Sequence, residues 1–341
     1  MKMLYYNKFI KIFTKDIIFW KHCIFLNNLR FKINTLLGAI DISRKLKELF
    51  PYICYFNICI LWGTSNLATK IGVGGLTTTV FASIRYLTTG LVALTVSFFM
   101  KGKLPKTFAE WRVLLTTAFL MNFLTNGCTV LGNKYADSGL VTVIFSAVPI
   151  FITIIDSIIL KNYRMGRKGW LGLMGGLSGI AFIALFGNPD LHIDIKGIVF
   201  TLCAALFWSI GSVYSKEKIV HSPAVTQVFI EALFASSLFF IVGNVTGDFT
   251  LKGVTLVSVM PALYLAIADS LIGFMSYICL LKIWKPSVVS TYAYINPVVA
   301  LILGFLVLKE PLTIGKIFGM VIIIISVILI QKDKITNTGT R

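Results

Sequence analysis

The chain has 341 residues, of which 57% are hydrophobic and 13% charged, and its mean hydropathy is +0.85. A soluble domain carries about a quarter charged residues, so a water-soluble globular fold is excluded, and about ten apolar spans of some twenty residues become the natural use of this chain. The net charge of +18 then asks which loops hold the charge, and gives no reason to invoke a nucleic-acid partner.

Residues 1–49 hold ten Lys/Arg against Asp16, Asp41 and Glu48. They read as a basic cytoplasmic extension, either an amphipathic arm on an anionic leaflet or an appendage without a packed structure. Lys21 and His22 interrupt its apolar stretch Ile17–Leu26, and Asn27 and Asn28 follow it, which is not the pattern of a cleaved signal peptide. Long apolar runs then predict spans near 50–70, 77–100, 111–131, 138–160, 168–187, 195–215, 224–247, 255–281, 286–308 and 314–331. A helix is the form in which such a run satisfies its own backbone hydrogen bonds in hydrocarbon, so the expected fold is all-α and integral to the membrane. The last ten residues, 332–341, form a tail. The six cysteines are scattered and suggest small buried hydrophobes, with no metal site.

Numbering the loops alternately from the N-terminus places 25 basic residues on one side and 5 on the other; Lys70 and Arg85 fall within or at the end of a span. This asymmetry predicts cytoplasmic N- and C-termini. Shifting the chain by 146–148 residues brings Trp62 onto Trp208, Lys70 onto Lys216, Lys134 onto Lys282 and Pro149 onto Pro297. The predicted halves are 50–190 and 191–331. Five spans per half is an odd number, so the second half enters the membrane inverted, an architecture of secondary transporters.

The run Ser-Thr-Tyr-Ala-Tyr-Ile-Asn-Pro ending at Pro297, followed by Leu-Lys-Glu-Pro-Leu-Thr ending at Thr313, resembles the second-repeat signature of EamA carriers of the drug/metabolite transporter (DMT) superfamily. Leu61-Trp62-Gly63 and Phe81-x-x-x-Arg85 resemble its first-repeat marks, and the resemblance covers about residues 50–331. It implies ten transmembrane helices in two inverted five-helix repeats around a cavity with alternating access. Known members move amino acids, nucleosides and other small metabolites, often outward. The first repeat departs from the pattern, because Asn162 stands where the family usually has the glutamate matched here by Glu310.

Ionisable groups deep in spans are costly and face a cavity or a partner; Arg85, Asp156, Glu231 and Asp269 qualify. The 146-residue offset makes Arg85 and Glu231 equivalent, and two readings stay open. Either Arg85 binds a substrate carboxylate or phosphate through its planar fork while Glu231 holds a substrate ammonium or a coupling proton, or the two form a mutual ion pair. Asp269, in line with Gly273, Ser276 and Tyr277, is a coupling candidate or a satisfied structural acid, and Asp156 is a gate or a structural group. Polar stripes run along span three (Asn122, Thr125, Asn126, Thr129, Asn133), span four (Thr142, Ser146, Pro149, Thr153, Asp156) and span nine (Ser290, Tyr294, Pro297, Gly304). They line a cavity or glue helices together. Pro149 and Pro297 predict kinks and a gating role, while Trp62 and Trp208 either stack on a flat or cationic substrate or pack.

His22, His192 and His221 lie outside the spans, and neither a His-Glu-x-x-His motif nor a Gly-x-x-x-x-Gly-Lys phosphate loop occurs, so no enzyme, catalytic residue, cofactor or metal is expected. The expected function is a secondary-active carrier that exports a small polar metabolite, an amino acid or relative, across the inner (plasma) membrane of a bacterium. Alternatives are an importer or exchanger of a nucleotide-like or other anionic metabolite, and a channel or non-transporting scaffold. The expected partners are a small-molecule substrate and the lipid bilayer, with no nucleic acid; proton coupling and a homo-oligomer stay open.

Overall fold

The computed structural model describes residues 40–155, 166–186, 195–216, 220–252, 254–284, 289 and 292–338, with side chains from Leu49 onward apart from 180, 183–185, 216, 281–282, 293–294, 327, 331 and 334–338. Asp156 and Asn162 lie outside the described residues. The chain divides into two units, Met1–Cys54 and Tyr55–Arg341, and the site described below belongs wholly to the second. Helix α1 (Ile40–Val73) runs across that division.

The described residues form helices and their connections, with no strand among them. After α1 come α2 (Thr78–Phe99), α3 (Phe108–Thr117), α4 (Thr125–Tyr135), α5 (Ser138–Phe145) and α6 (Val148–Ile154). They are followed by α7 (Arg167–Phe186), α8 (Ile195–Lys216), α9 (Ala224–Thr246), α10 (Leu256–Tyr264) and α11 (Phe274–Ile283), then α12 (Tyr292–Leu303) and α13 (Ile314–Thr338). Five stretches are long and apolar enough to cross a membrane: 78–99, 108–135, 195–215, 224–246 and 256–280. Shorter apolar helices occupy 138–154, 295–308 and 314–330. At 1.5 Å of rise per residue, the 22 residues of α2 span about 33 Å, the thickness of a hydrocarbon layer.

Tight packing joins α2 to α9, α7 to α13 and α4 to α8. The first two pairs are offset mates. The α7–α13 contact depends on Gly172, where a Cβ would stand 2.6 Å from the Ser326 carbonyl oxygen and force the helices apart.

Three of the described helices change their winding, and α12 does so at its end, over Gly304–Leu308. Between α3 and α4 the chain is π-helical over Ala118–Leu124, and between α10 and α11 over Leu265–Gly273. A π turn shifts hydrogen bonds by one residue and re-aims the side chains that follow, and such turns gather at functional sites. In the first segment the loosened carbonyls are recaptured locally: Thr125 Oγ1 donates to Leu120 O at 2.9 Å and Asn126 Nδ2 to Met121 O at 3.0 Å. Pro261, inside α10, removes one N–H shortly before the second segment.

The two prolines expected to kink their helices behave differently. Pro149 sits at the start of α6, just after a break at Ser146–Ala147, and the Val148 carbonyl accepts Ser209 Oγ of α8 at 3.2 Å. Pro297 lies inside α12, which runs on to Leu303.

Several helix starts are capped by carboxylates from far along the chain. Thr79 at the start of α2 donates its N–H (3.1 Å) and hydroxyl (2.8 Å) to Asp248, and Gly166, before α7, donates its N–H to Asp333 at 2.8 Å. The start of α5 is held by Glu310. Its carboxylate accepts the N–H and hydroxyl of Ser138, both at 2.9 Å on one oxygen, and the Gly139 N–H at 3.2 Å on the other. A negative group there meets unpaired backbone donors and the positive end of the helix dipole. Gly304 makes room, since a Cβ at that position would lie 2.5 Å from Glu310 Oε2. Asp137, the residue before α5, turns instead to the buried Lys316 Nζ at 2.5 Å.

Candidate functional site

Inside the second unit lies a partly open cavity whose void, including its mouth, is about 1000 Å³. Its walls come from α1, α2, α4, α5, α6, α8, α9, α11, α12 and the π segments that precede α4 and α11. Most wall-forming polar groups are hydroxyls and amides, as a passage through a bilayer requires: polar side chains there must face water, ligand or protein.

One charged pair stands in this wall. Arg85 of α2 forms an ion pair with Asp269 of the second π segment, and Arg85 Nε donates to Ser270 Oγ at 2.9 Å. The guanidinium also lies 5.3 Å over the Tyr86 ring. Both partners are largely withdrawn from solvent, at 6% and 12% side-chain exposure. Pairing offsets the desolvation that would otherwise forbid either charge at this depth.

Glu231 is placed differently from the sequence expectation. It is buried in α9, does not line the cavity, and accepts a hydrogen bond from Asn122 Nδ2 of the first π segment at 3.1 Å. The ion pair of Arg85 is therefore with Asp269 and not with Glu231. The reason is geometric: each second helix of a repeat reaches across to the third helix of the other. The offset of 147 carries Asn122 onto Asp269, so Arg85–Asp269 and Glu231–Asn122 are the same contact made twice with different chemistry.

Of the other candidates, Trp62, Asn122, Asn126, Ser146, Trp208 and Pro297 line the cavity. Thr125, Thr129 and Thr142, flagged as parts of polar stripes, line it too. Pro149 is buried outside the lining, Tyr294 occupies a position on α12 whose side chain is not described, and Asp156 lies outside the described residues. The structure adds Asn66, Ser270, Tyr292 and Asn296. Asn66 Nδ2 donates to Thr142 Oγ1 at 2.9 Å, and Asn133 Nδ2 donates to Asn66 Oδ1 at 2.8 Å, so an amide chain ties α1, α4 and α5 together beside the cavity. Asn66 could have been found as a polar residue within an apolar run, while Tyr292 and Asn296 stand in the Ser-Thr-Tyr-Ala-Tyr-Ile-Asn-Pro run that carried the family resemblance.

Trp62 and Trp208 meet edge to face with centroids 5.7 Å apart, and Tyr292 packs on Trp62 at 4.9 Å and Tyr277 at 5.3 Å. This aromatic cluster adjoins the charged pair, since Trp62 Nε1 reaches the Asp269 carbonyl at 3.5 Å. A ligand in the cavity would thus meet a cation and an anion beside a wall of ring faces and edges. Among the described residues, no group of His, Cys, Asp and Glu is arranged to hold a metal ion.

Comparisons with known proteins bear on the fold and the family. The chain is 28% identical over 295 residues to the "Uncharacterized inner membrane transporter YedA" of Escherichia coli K12, covering 85% of this chain and 94% of that protein. It is 25% identical over 275 residues to the E. coli K12 "Probable amino-acid metabolite efflux pump", covering 78% and 89%. A crystal structure superposes with a TM-score of 0.59 at 16% identity, covering 82% of this chain and 95% of that one, which shows a shared fold. The EamA-like transporter family matches residues 49–185 and 195–331, two stretches that begin 146 residues apart, the offset found in the sequence. The chain is a membrane protein and belongs to the EamA-like transporter family.

Proposed function

We propose that this protein is a secondary carrier that moves a small zwitterionic metabolite, an amino acid or close relative, outward across a bacterial inner membrane by alternating access. The observation that carries this reading is the Arg85–Asp269 pair in the cavity wall. A zwitterion can replace each half of the pair, its carboxylate on the guanidinium fork and its ammonium on Asp269. A purely anionic substrate would satisfy Arg85 and leave Asp269 unpaired in a low-dielectric wall, which disfavours the nucleotide-like alternative. The name of the E. coli amino-acid metabolite efflux pump points the same way.

The topology of this reading is ten membrane helices in two inverted halves, with both termini cytoplasmic. It is supported by the two family matches, one in each half of the chain, by the succession of apolar helices and by the 25-to-5 division of basic residues between alternate loops.

The test is a thermal-shift screen of the purified protein against amino acids and their relatives, followed by flux of each hit into protein-containing liposomes. A bound ligand raises the unfolding temperature by mass action. Binding and flux should fall sharply in Arg85→Lys, because an ammonium cannot reproduce the bidentate fork. Absence of any zwitterion that binds and crosses would remove the reading.

A further inference from the structure

Seven carboxylates have described side chains, and six of them meet a cation or a backbone N–H. Asp137 pairs with Lys316 and Asp269 with Arg85; Glu110, Asp248, Glu310 and Asp333 accept backbone N–H groups. Glu231 is the exception. It is 3% exposed, and its partner is the neutral amide of Asn122. An ionised carboxylate in that position has no compensating charge, which is costly inside a membrane bundle, and proton uptake removes the cost.

Among the described side chains of the surrounding elements the cations are Arg85, which is paired with Asp269, and Arg112, which is exposed. Helix α9 packs on α2, α3, α11 and the first two π segments. Their titratable and charged residues are Arg85 and Tyr86 on α2, Glu110 and Arg112 on α3, Asp269 in the second π segment, and Tyr277, Cys279 and Lys282 on α11. Arg85 is engaged by Asp269, and Glu110, in the first turn of α3, by His221. Asn122 both holds Glu231 and lines the cavity.

We infer that Glu231 is a proton-binding site that couples transport to the proton gradient, with Asn122 relaying its state to the cavity. This rests on the carrier reading above. The proton comes from water on one side of the membrane, adds to a Glu231 carboxylate oxygen, and returns to water on the other side. No other bond changes. With Glu231 ionised, Asn122 Nδ2 is spent on the carboxylate; with Glu231 protonated, the acid O–H becomes a donor to Asn122 Oδ1 and the amide turns its N–H groups elsewhere. The cavity thereby presents a different amide face to its ligand in each state.

The test uses the full chain in lipid vesicles and needs no substrate. Infrared difference spectra between about pH 5 and about pH 9 should show the C=O stretch of a protonated carboxyl appearing, a band lost in Glu231→Gln and shifted in Glu231→Asp. A monodisperse Glu231→Gln protein with the wild-type unfolding temperature excludes misfolding as the cause. If its spectrum matches wild type, Glu231 does not exchange a proton and the proposal is overturned. Where a zwitterion from the screen is transported, its flux should respond to an imposed pH difference in wild type and not in Glu231→Gln; an equal response in both also overturns it. Failure of every zwitterion would remove the substrate reading and leave the infrared result to decide the proton site.

Discussion

The two halves of the molecule make one contact twice and fill it differently. In one, Arg85 meets Asp269 as a closed ion pair; in the other, Glu231 meets the amide of Asn122. Both contacts join a second helix to a π-helical segment of the opposite half, so the backbone preserves the symmetry that the side chains abandon. The two positions are equivalent in the repeat, yet one holds an ion pair and the other an acid without a compensating charge.

The largest effect should come from breaking the charged contact. Arg85→Ala leaves Asp269 buried without a cation, a loss of about 3–5 kcal/mol in stability together with loss of flux, measured by unfolding in detergent and by liposome transport. Arg85→Gln with Asp269→Asn should recover much of the stability and none of the transport, which separates the structural role from the binding role.

Copying the first contact onto the second sharpens the comparison. Glu231→Arg combined with Asn122→Asp should rebuild an ion pair, and a double-mutant cycle should show coupling of about 1–3 kcal/mol between the two changes. Coupling near zero would mean that the two contacts are not geometrically equivalent. The double variant should also lack the pH response assigned to Glu231.

A smaller loss tests whether the long-range cap matters to the frame of the site. Glu310→Gln keeps the shape but removes the charge at the start of α5, with an expected cost of about 1 kcal/mol. Gly304→Ala drives a Cβ into the same carboxylate, so it should cost at least as much, and combining the two changes should be less than additive. The smallest effect is expected from Thr125→Val, which gives up the hydroxyl that recaptures Leu120 O, at about 0.5–1.5 kcal/mol.

Much of this was legible before any coordinates. The polar stripe Asn122, Thr125, Asn126, Thr129 and Asn133 stands out at helical spacing; the first four residues line the cavity, and Asn133 instead bonds Asn66 beside it. Arg85 and Asp269 stand out because ionisable groups are rare in apolar runs. Their pairing was not legible, since the offset marks Arg85 and Glu231 as equivalents, and equivalence says nothing about contact. Nor was the use of Asp248, Glu310 and Asp333 as caps for Thr79, Ser138 and Gly166, which lie more than 160 residues away in sequence. Helix propensity and hydropathy are local quantities and do not record which remote carboxylate meets a helix start.

By itself the sequence determined that this chain lives in a membrane, that it is built from two related halves and that a few polar residues had to be hidden within them. Those conclusions follow from composition and periodicity, which act over twenty residues or fewer, and from the offset. Only the tertiary structure decided that Arg85 answers to Asp269 and that Glu231 is left with an amide. The physical reason is that charge compensation acts over a few ångströms in space, and the distance along the chain does not enter it.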